Sequence, residues 1–406
     1  MSFTSAALTA PLAAFPPATA STFARRRLRL GIAGVGVSVV FALIWLLVLA
    51  VLGAERVAAW RLGPGWVGVV GTAAAGALAF TVTHALLALP LEHAGGRRAV
   101  RQVPAFGAWL RAWARGTALL VALASVGSAA VVVGGTIGGA AGAAAVALTC
   151  GALVLAAQGP LARMVAALGV RAPSAAERDI AAASGIDPDA VRVVITSDEA
   201  FVGGWIGIGP WRTLWVPERW CAHETSDLLR VQLRRRQAQL ASLARRRGWW
   251  RAAAWPALGV LVLSSLIPWG WQDPRMWLAI PALGTLWAFF GVLVLPAASR
   301  PAVFAADAMA ARALGSADVS RAVARLDHWQ DDEPERSPLV EFVFHPVPAA
   351  ARRMRALDAG QPHTLGGGHQ LARLALLAGL AGGSVLGRMV HCNLGRPSLW
   401  VVYPGD

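Results

Sequence analysis

Six stretches of this chain are each long and apolar enough to cross a bilayer, at about 30–53, 65–90, 117–135, 138–158, 252–272 and 276–297. A helix needs roughly 20 such residues to span the hydrocarbon, because every backbone N–H and C=O there must be satisfied within the helix itself. A chain that repeats the pattern this often is expected to be an α-helical multi-span membrane protein with about six spans. Composition agrees: of 406 residues, 56% are hydrophobic and only 15% charged, and mean hydropathy is +0.54, which excludes an ordinary soluble domain. A seventh run, 370–387, is interrupted by glycine and carries Arg373 and Arg388 near its ends. It reads as a short span or a surface helix. The third and fourth stretches meet at "GGTIGGAAGAAAVAL", small residues that let helices approach closely in lipid, so these two are expected inside the bundle.

The first stretch follows "ARRRLRL" and is not closed by a clean small-residue cleavage site. It therefore reads as a retained span, not a signal peptide. Residues 1–29 read as a disordered, basic N-terminus rich in Ala, Pro, Ser and Thr. The net charge is +15, and all 37 basic residues are arginine. They cluster between the apolar runs, as charge-directed membrane topology expects, and this argues against nucleic acid as the partner. Arg25, Arg26, Arg27 and Arg29 place the N-terminus in the cytoplasm, and Arg97, Arg98, Arg101, Arg111 and Arg115 do the same for the 91–116 loop. The arginine-rich segments 159–251 and 298–367 then also fall on the cytoplasmic side. An all-arginine basic set suggests a GC-rich genome, hence a bacterial cytoplasmic membrane. Eighteen tryptophans, with Trp249, Trp250, Trp269, Trp271 and Trp277 near span ends, read as an interfacial belt.

The chain thus divides into a four-span region (30–158), a cytoplasmic α+β part (159–251), a two-span hairpin (252–297), a second cytoplasmic helical part (298–367) and a C-terminal segment (368–406). In the α+β part, "VRVVIT" (191–196), "AFVGGWIGI" (200–208) and "RTLWVP" (212–217) read as strands of a small sheet, with Gly209-Pro210 as a turn. A helix over 226–246 follows, with Thr225 or Ser226 as N-cap and Asp227 in its first turn.

The order of these landmarks resembles the membrane zinc metallopeptidases that include the CAAX prenyl proteases and HtpX. "LPLEHAGGRRAVRQVPAFGAWLRAWARG" (89–116) is similar to the loop after the second span in the CAAX branch, and "SDEAFVGGWIG" (197–207) to the family's N-A-F/Y-x-x-G strand. "DLLRVQL" resembles the lead into H-E-x-x-H, "VFAADAMAA" (303–311) the E-x-x-A-D helix, and "FHPVPAAARRMRAL" (344–357) the T-H-P ending. The resemblance covers roughly 60–360 and implies a zinc-dependent metalloendopeptidase scaffold, an intramembrane chamber, and a cytoplasmic sheet edge that takes extended peptide by strand addition.

Carried over residue by residue, the family's chemistry is missing. The first zinc-binding His falls on Arg234, the general-base Glu on Arg235, the second His on Ala238, the late Glu ligand on Val303, and the strand Asn on Glu199. Asp307 and His345 match the family's outer positions. Zinc takes imidazole, thiolate or carboxylate donors, whereas a guanidinium stays protonated and offers no lone pair. No register slip restores the motif, because 227–251 contains neither His nor Glu. Asp307, polar within an apolar helix, needs a partner, and Arg234 or Arg235 is expected to supply it.

Two functional readings follow. The first is a catalytically inactive pseudopeptidase, without zinc, that binds peptide, lipid or a membrane-protein partner. The second is an active zinc endopeptidase with a displaced site around "HETSD": His223 and Asp227 at i and i+4, with His345 as third ligand and Glu224 as base. Against the second, Thr, Ser and Asp at a helix start are ordinary capping residues, and His345 reads as structural. A solute transporter would call for an inverted repeat, and the chain shows none. His84, inside the second stretch, reads as a functional candidate or as an interhelical hydrogen bond. Arg234–Arg236 and Arg245–Arg247 could meet anionic lipid headgroups or serve as simple anchors. Cys150, Cys221 and Cys392 are far apart and read as free thiols.

Overall fold

The structure, a computed structural model, describes residues 23–98, 103–166, 168–196, 198, 200–221, 226–360 and 367–402. It is mostly helical, with one small mixed sheet. Helix α1 (Phe23–Ala58) leaves helical geometry at Gly53 (φ 74°, ψ 165°), where the first apolar stretch ends. Its start takes in residues 23–29, so this part of the N-terminus is helical, a correction to the disordered reading; residues 1–22 lie outside the described ones. Helix α2 (Gly65–Arg98) and helix α3 (Phe106–Ala156) leave a much shorter connection than the 91–116 loop expected from hydropathy.

Helix α3 contains the third and fourth apolar stretches and doubles back at Gly138 (φ −123°, ψ 16°) and Gly139 (φ 62°, ψ −152°). The left-handed φ at Gly139 is one that a Cβ would oppose. The returning arm lies directly on the outgoing one: a Cβ at Gly142 would meet the Gly134 carbonyl oxygen at 2.2 Å. The small residues here allow that contact, as in other close helix pairs in lipid.

Helix α4 (Gln158–Ala166) leads into strand β1 (Gly169–Arg171), helix α5 (Ala175–Ala183), and strands β2 (Val191–Ile195), β3 (Gly204–Ile206) and β4 (Thr213–Pro217). The order across the sheet is β1-β2-β4-β3. β2 and β4 are parallel, and both edge strands run antiparallel to their neighbours. β1 has three residues and no alternation to announce it, so the sequence did not reveal it. Ser174 and Glu177 form a capping box at the start of α5. Helix α6 (Ser226–Ala241) packs on this sheet through Leu228, Leu229, Val231 and Leu233.

Helix α7 (Ala244–Leu266) and helix α8 (Pro274–Leu314) follow. α8 continues unbroken from the sixth apolar stretch into the segment read as soluble from 298 onward, so no structural boundary falls there. Helices α9 (Ser316–Gln330), α10 (Pro338–Phe344) and α11 (Ala350–Asp358) complete the polar layer beside the sheet. α1, α2, α3 and α8 are each long and apolar enough to cross a membrane. α3 does so with two arms joined at Gly138–Gly139, and α7 packs against it. Three turns meet at the end away from the sheet: Trp271 fills the space over Gly135, Gln272 Nε2 donates to the Thr136 carbonyl at 3.1 Å, and the Arg61 guanidinium lies over Trp277.

The C-terminal segment departs most from expectation. Helix α12 (Leu371–Gly379) is only nine residues long and buries seven of them. The short turns after it, through Val402, are buried almost throughout. This segment is neither a span nor a surface helix. It fills the space between the long helices: Met389 meets Gly34 of α1, Leu394 meets Gly95 of α2, Ala381 meets Gly127 of α3, and α12 packs on α7 and α8. Two of the presumed belt tryptophans, Trp249 and Trp277, are core residues, whereas Trp250 is exposed.

Candidate functional site

The residues that the family resemblance places around zinc lie where α6 packs against α8. Arg235, on the buried face of α6, is 0% exposed and donates through Nε to Asp307 Oδ1 at 2.7 Å. Its Nη1 donates to Gln232 Oε1 at 2.8 Å, one turn back on the same helix. From α11, Arg353 grips the same carboxylate as a fork, Nε to Oδ2 at 2.8 Å and Nη2 to Oδ1 at 2.9 Å. Asp307 thus accepts three charge-assisted bonds on its two oxygens, the strong class for a planar guanidinium on a carboxylate. The triad is buried and carries a net charge of one positive unit (two guanidinium groups, one carboxylate).

Arg234, the other expected partner, turns away: its Nη2 donates to the carbonyl of Ala183, the last residue of α5, at 2.5 Å. Ala238 and Val303 are both 2% exposed and offer only methyl groups. Two of the implied ligand positions are therefore apolar, the third points elsewhere, and the implied base is a cation locked to Asp307. These residues do not fit a zinc ion. Among the described residues, no group of three His, Cys, Asp or Glu side chains converges as a metal site.

The displaced site fares as follows. His223, Glu224 and Thr225 lie outside the described residues, as does Glu199. Asp227 is exposed in the first turn of α6. His345 is buried just past α10, its ring 5.0 Å from that of His391. Burial, reinforced by Arg336, holds the His345 imidazole well below its ordinary pKa, so it is neutral. The structure does not bring Asp227 and His345 together in a donor cluster. The three cysteines are free, and burial, with Glu177 nearby, pushes the Cys221 thiol up to about 12.

A second polar cluster borders the triad. Asp331 pairs with Arg27 of α1 and with Arg336, the latter at 2.6 Å. Despite burial, Arg336 and Arg27 hold the Asp331 carboxyl far below the usual range, while burial and the charge of Asp331 push neighbouring Asp327 up to about 7. Sequence reasoning missed this cluster because its members come from α1, α9 and the loop before α10, with no shared motif.

Of the two sheet edges, β1 exposes Gly169 and Val170, whereas all three residues of β3 are buried. The carbonyls flanking it accept from arginines of α6 and α7: Val202 from Arg236 Nη2 at 3.5 Å and Gly207 from Arg245 Nη2 at 2.5 Å. His84 is fully buried and lies 2.9 Å from Ser38 Oγ of α1, an interhelical hydrogen bond. Glu92 of α2, within the 89–116 segment, is the more consequential residue. It forms a fully buried ion pair with Arg388 at 2.5 Å and accepts from Trp113 Nε1 at 2.6 Å.

The sequence matches no family model and no curated protein. Among solved structures, the fold is similar to a crystal structure of Ste24p from S. mikatae, with a TM-score of 0.55 and 12% identity, covering 78% of this chain and 80% of that one. The likeness is one of fold: an integral membrane protein with a Ste24p-like architecture.

Proposed function

We propose that this chain is a membrane metallopeptidase-like protein whose catalytic centre is closed by arginines, and that it binds rather than cuts. The observation that carries this reading is the Arg235–Asp307–Arg353 triad at the α6–α8 contact. Peptide hydrolysis by this scaffold needs a Lewis acid and a base that activates water. Here a dication would face two guanidinium groups, and the neighbouring positions supply methyl groups in place of donors. The Ste24p-like fold supports the metallopeptidase-like scaffold, and the sequence resemblance to CAAX-type peptidases points the same way. The burial of β3 makes that edge a poor site for an added peptide strand, which favours a lipid or a membrane-protein partner. Six spans, with the polar layer on the cytoplasmic face of a bacterial inner membrane, remain part of this proposal on the strength of the arginine distribution.

The test is turnover. Purified protein is incubated with a farnesylated CAAX peptide and with an unmodified peptide, each with and without added zinc. No cleavage is expected under any condition. Cleavage that a chelator abolishes, and that His223→Ala also abolishes, would establish the displaced site in its place.

A further inference from the structure

An apolar groove of about 400 Å³ runs between α1 and α8. Its walls are α1 from Leu28 to Val40 and α8 from Phe289 to Pro296, and its floor includes Leu376 of α12 and Val390. Twelve residues of helix give it a length of roughly 18 Å, the scale of a long acyl chain. It opens toward the surrounding lipid, since Ile32 and Val40 on its rim are 46% and 55% exposed.

At the end near Leu28 the groove reaches Arg373, His391 and Cys392, which also line a small polar cavity of about 50 Å³. Five arginines line that cavity. Four have carboxylates: Arg27 with Asp331, Arg336 with Asp331 and Asp327, Arg353 with Asp307, and Arg396 with Asp198. Arg373 is half-buried, and among the described residues no ion pair or hydrogen bond engages it. An unneutralised guanidinium at the polar end of a long apolar groove calls for an amphiphile with an anionic head. The surrounding bilayer is a direct source of one.

We propose that the groove binds one acyl chain of an anionic phospholipid, with its phosphate on Arg373. Apolar walls satisfy a hydrocarbon chain but would leave a peptide's N–H and C=O groups unpaired. No triad residue lines the groove, and only the adjoining polar cavity shares one of them, Arg353; lipid binding there does not depend on whether the α6–α8 centre is silent. Gly36 gives a clean probe: it lines the groove, and a Cβ built there meets nothing within 4 Å. A side chain at this position therefore starts from open space beside the groove.

The experiment is native mass spectrometry of the full chain in detergent, with dioleoylphosphatidylglycerol or dioleoylphosphatidylcholine added. One phosphatidylglycerol per chain is expected to survive activation that strips phosphatidylcholine. Arg373→Gln should weaken that retention about five-fold, the effect of one surface-proximal cation. Gly36→Phe should weaken it at least as much, with an unchanged melting temperature. Arg29→Gln, which removes an exposed charge from the same helix, should leave it unaltered. Equal retention of phosphatidylcholine, equal weakening by Arg29→Gln, wild-type retention by Gly36→Phe, or dimers of the chain in place of bound lipid would each overturn the proposal.

Discussion

Asp307 is a single carboxylate holding two buried guanidinium groups, and its removal would leave both without a counter-charge. Breaking a buried ion pair from one side typically costs about 3–5 kcal/mol, whereas replacing the whole set by apolar groups is often near neutral. Asp307→Asn is therefore expected to destabilise the protein by about 3–5 kcal/mol in thermal unfolding, and Arg235→Met, Asp307→Leu and Arg353→Met combined should recover most of that loss. A mild effect of Asp307→Asn would show that the two guanidinium groups do not depend on this carboxylate. Asp327 gives a pH signature. Its folded pKa is raised from 3.8 to about 7, so in that interval the folded chain holds a proton that the unfolded chain has released, and stability falls as pH rises through it. Wild type should lose melting temperature relative to Asp327→Asn between about pH 4 and pH 7, with Asp331, Arg336 and Arg353 unchanged around the site. Parallel curves would contradict the assignment.

At the scale of elements, the Glu92–Arg388 pair ties α2 to the C-terminal segment, with Arg388 also stacked 4.2 Å over Trp400. Glu92→Gln leaves a buried, unpaired arginine and should cost about 3–5 kcal/mol, read as a lower unfolding temperature in detergent. An exposed control such as Arg321→Gln should change little, and an equal change in both would show that Glu92 has no special role. The long apolar helices, the three main strands and the α6–α8 contact were legible from hydropathy period, strand alternation and the order of motif-like fragments. So was a partnership between Asp307 and an α6 arginine, because a buried carboxylate needs a counter-charge. Three things were not legible. The α3 turn depends on the φ of Gly139, inside a run where every residue is small. The second guanidinium on Asp307 comes from Arg353, 46 residues away in sequence. The burial of the C-terminal segment 371–402 depends on glycine faces of other helices; at Gly127 a Cβ would sit 1.7 Å from the carbonyl oxygen of Ala381, in the turn after α12.

For the whole molecule, two consequences follow. The space between the long helices is occupied by the chain's own residues 371–402, where the family resemblance had implied a chamber. The three turns at the far end of the bundle should lie across the membrane from the sheet. Single cysteines placed in the α7–α8 turn and in the Arg171–Pro173 stretch, in a background lacking Cys150, Cys221 and Cys392, are expected to react with a membrane-impermeant maleimide from opposite sides. Labelling from the same side would refute six crossings. Zinc content of the detergent-purified protein, measured by mass spectrometry for wild type beside His223→Ala, is predicted to be far below one ion per chain in both. Near-stoichiometric zinc in wild type, lost in His223→Ala, would contradict the arginine-closed centre and move the chemistry to the start of α6.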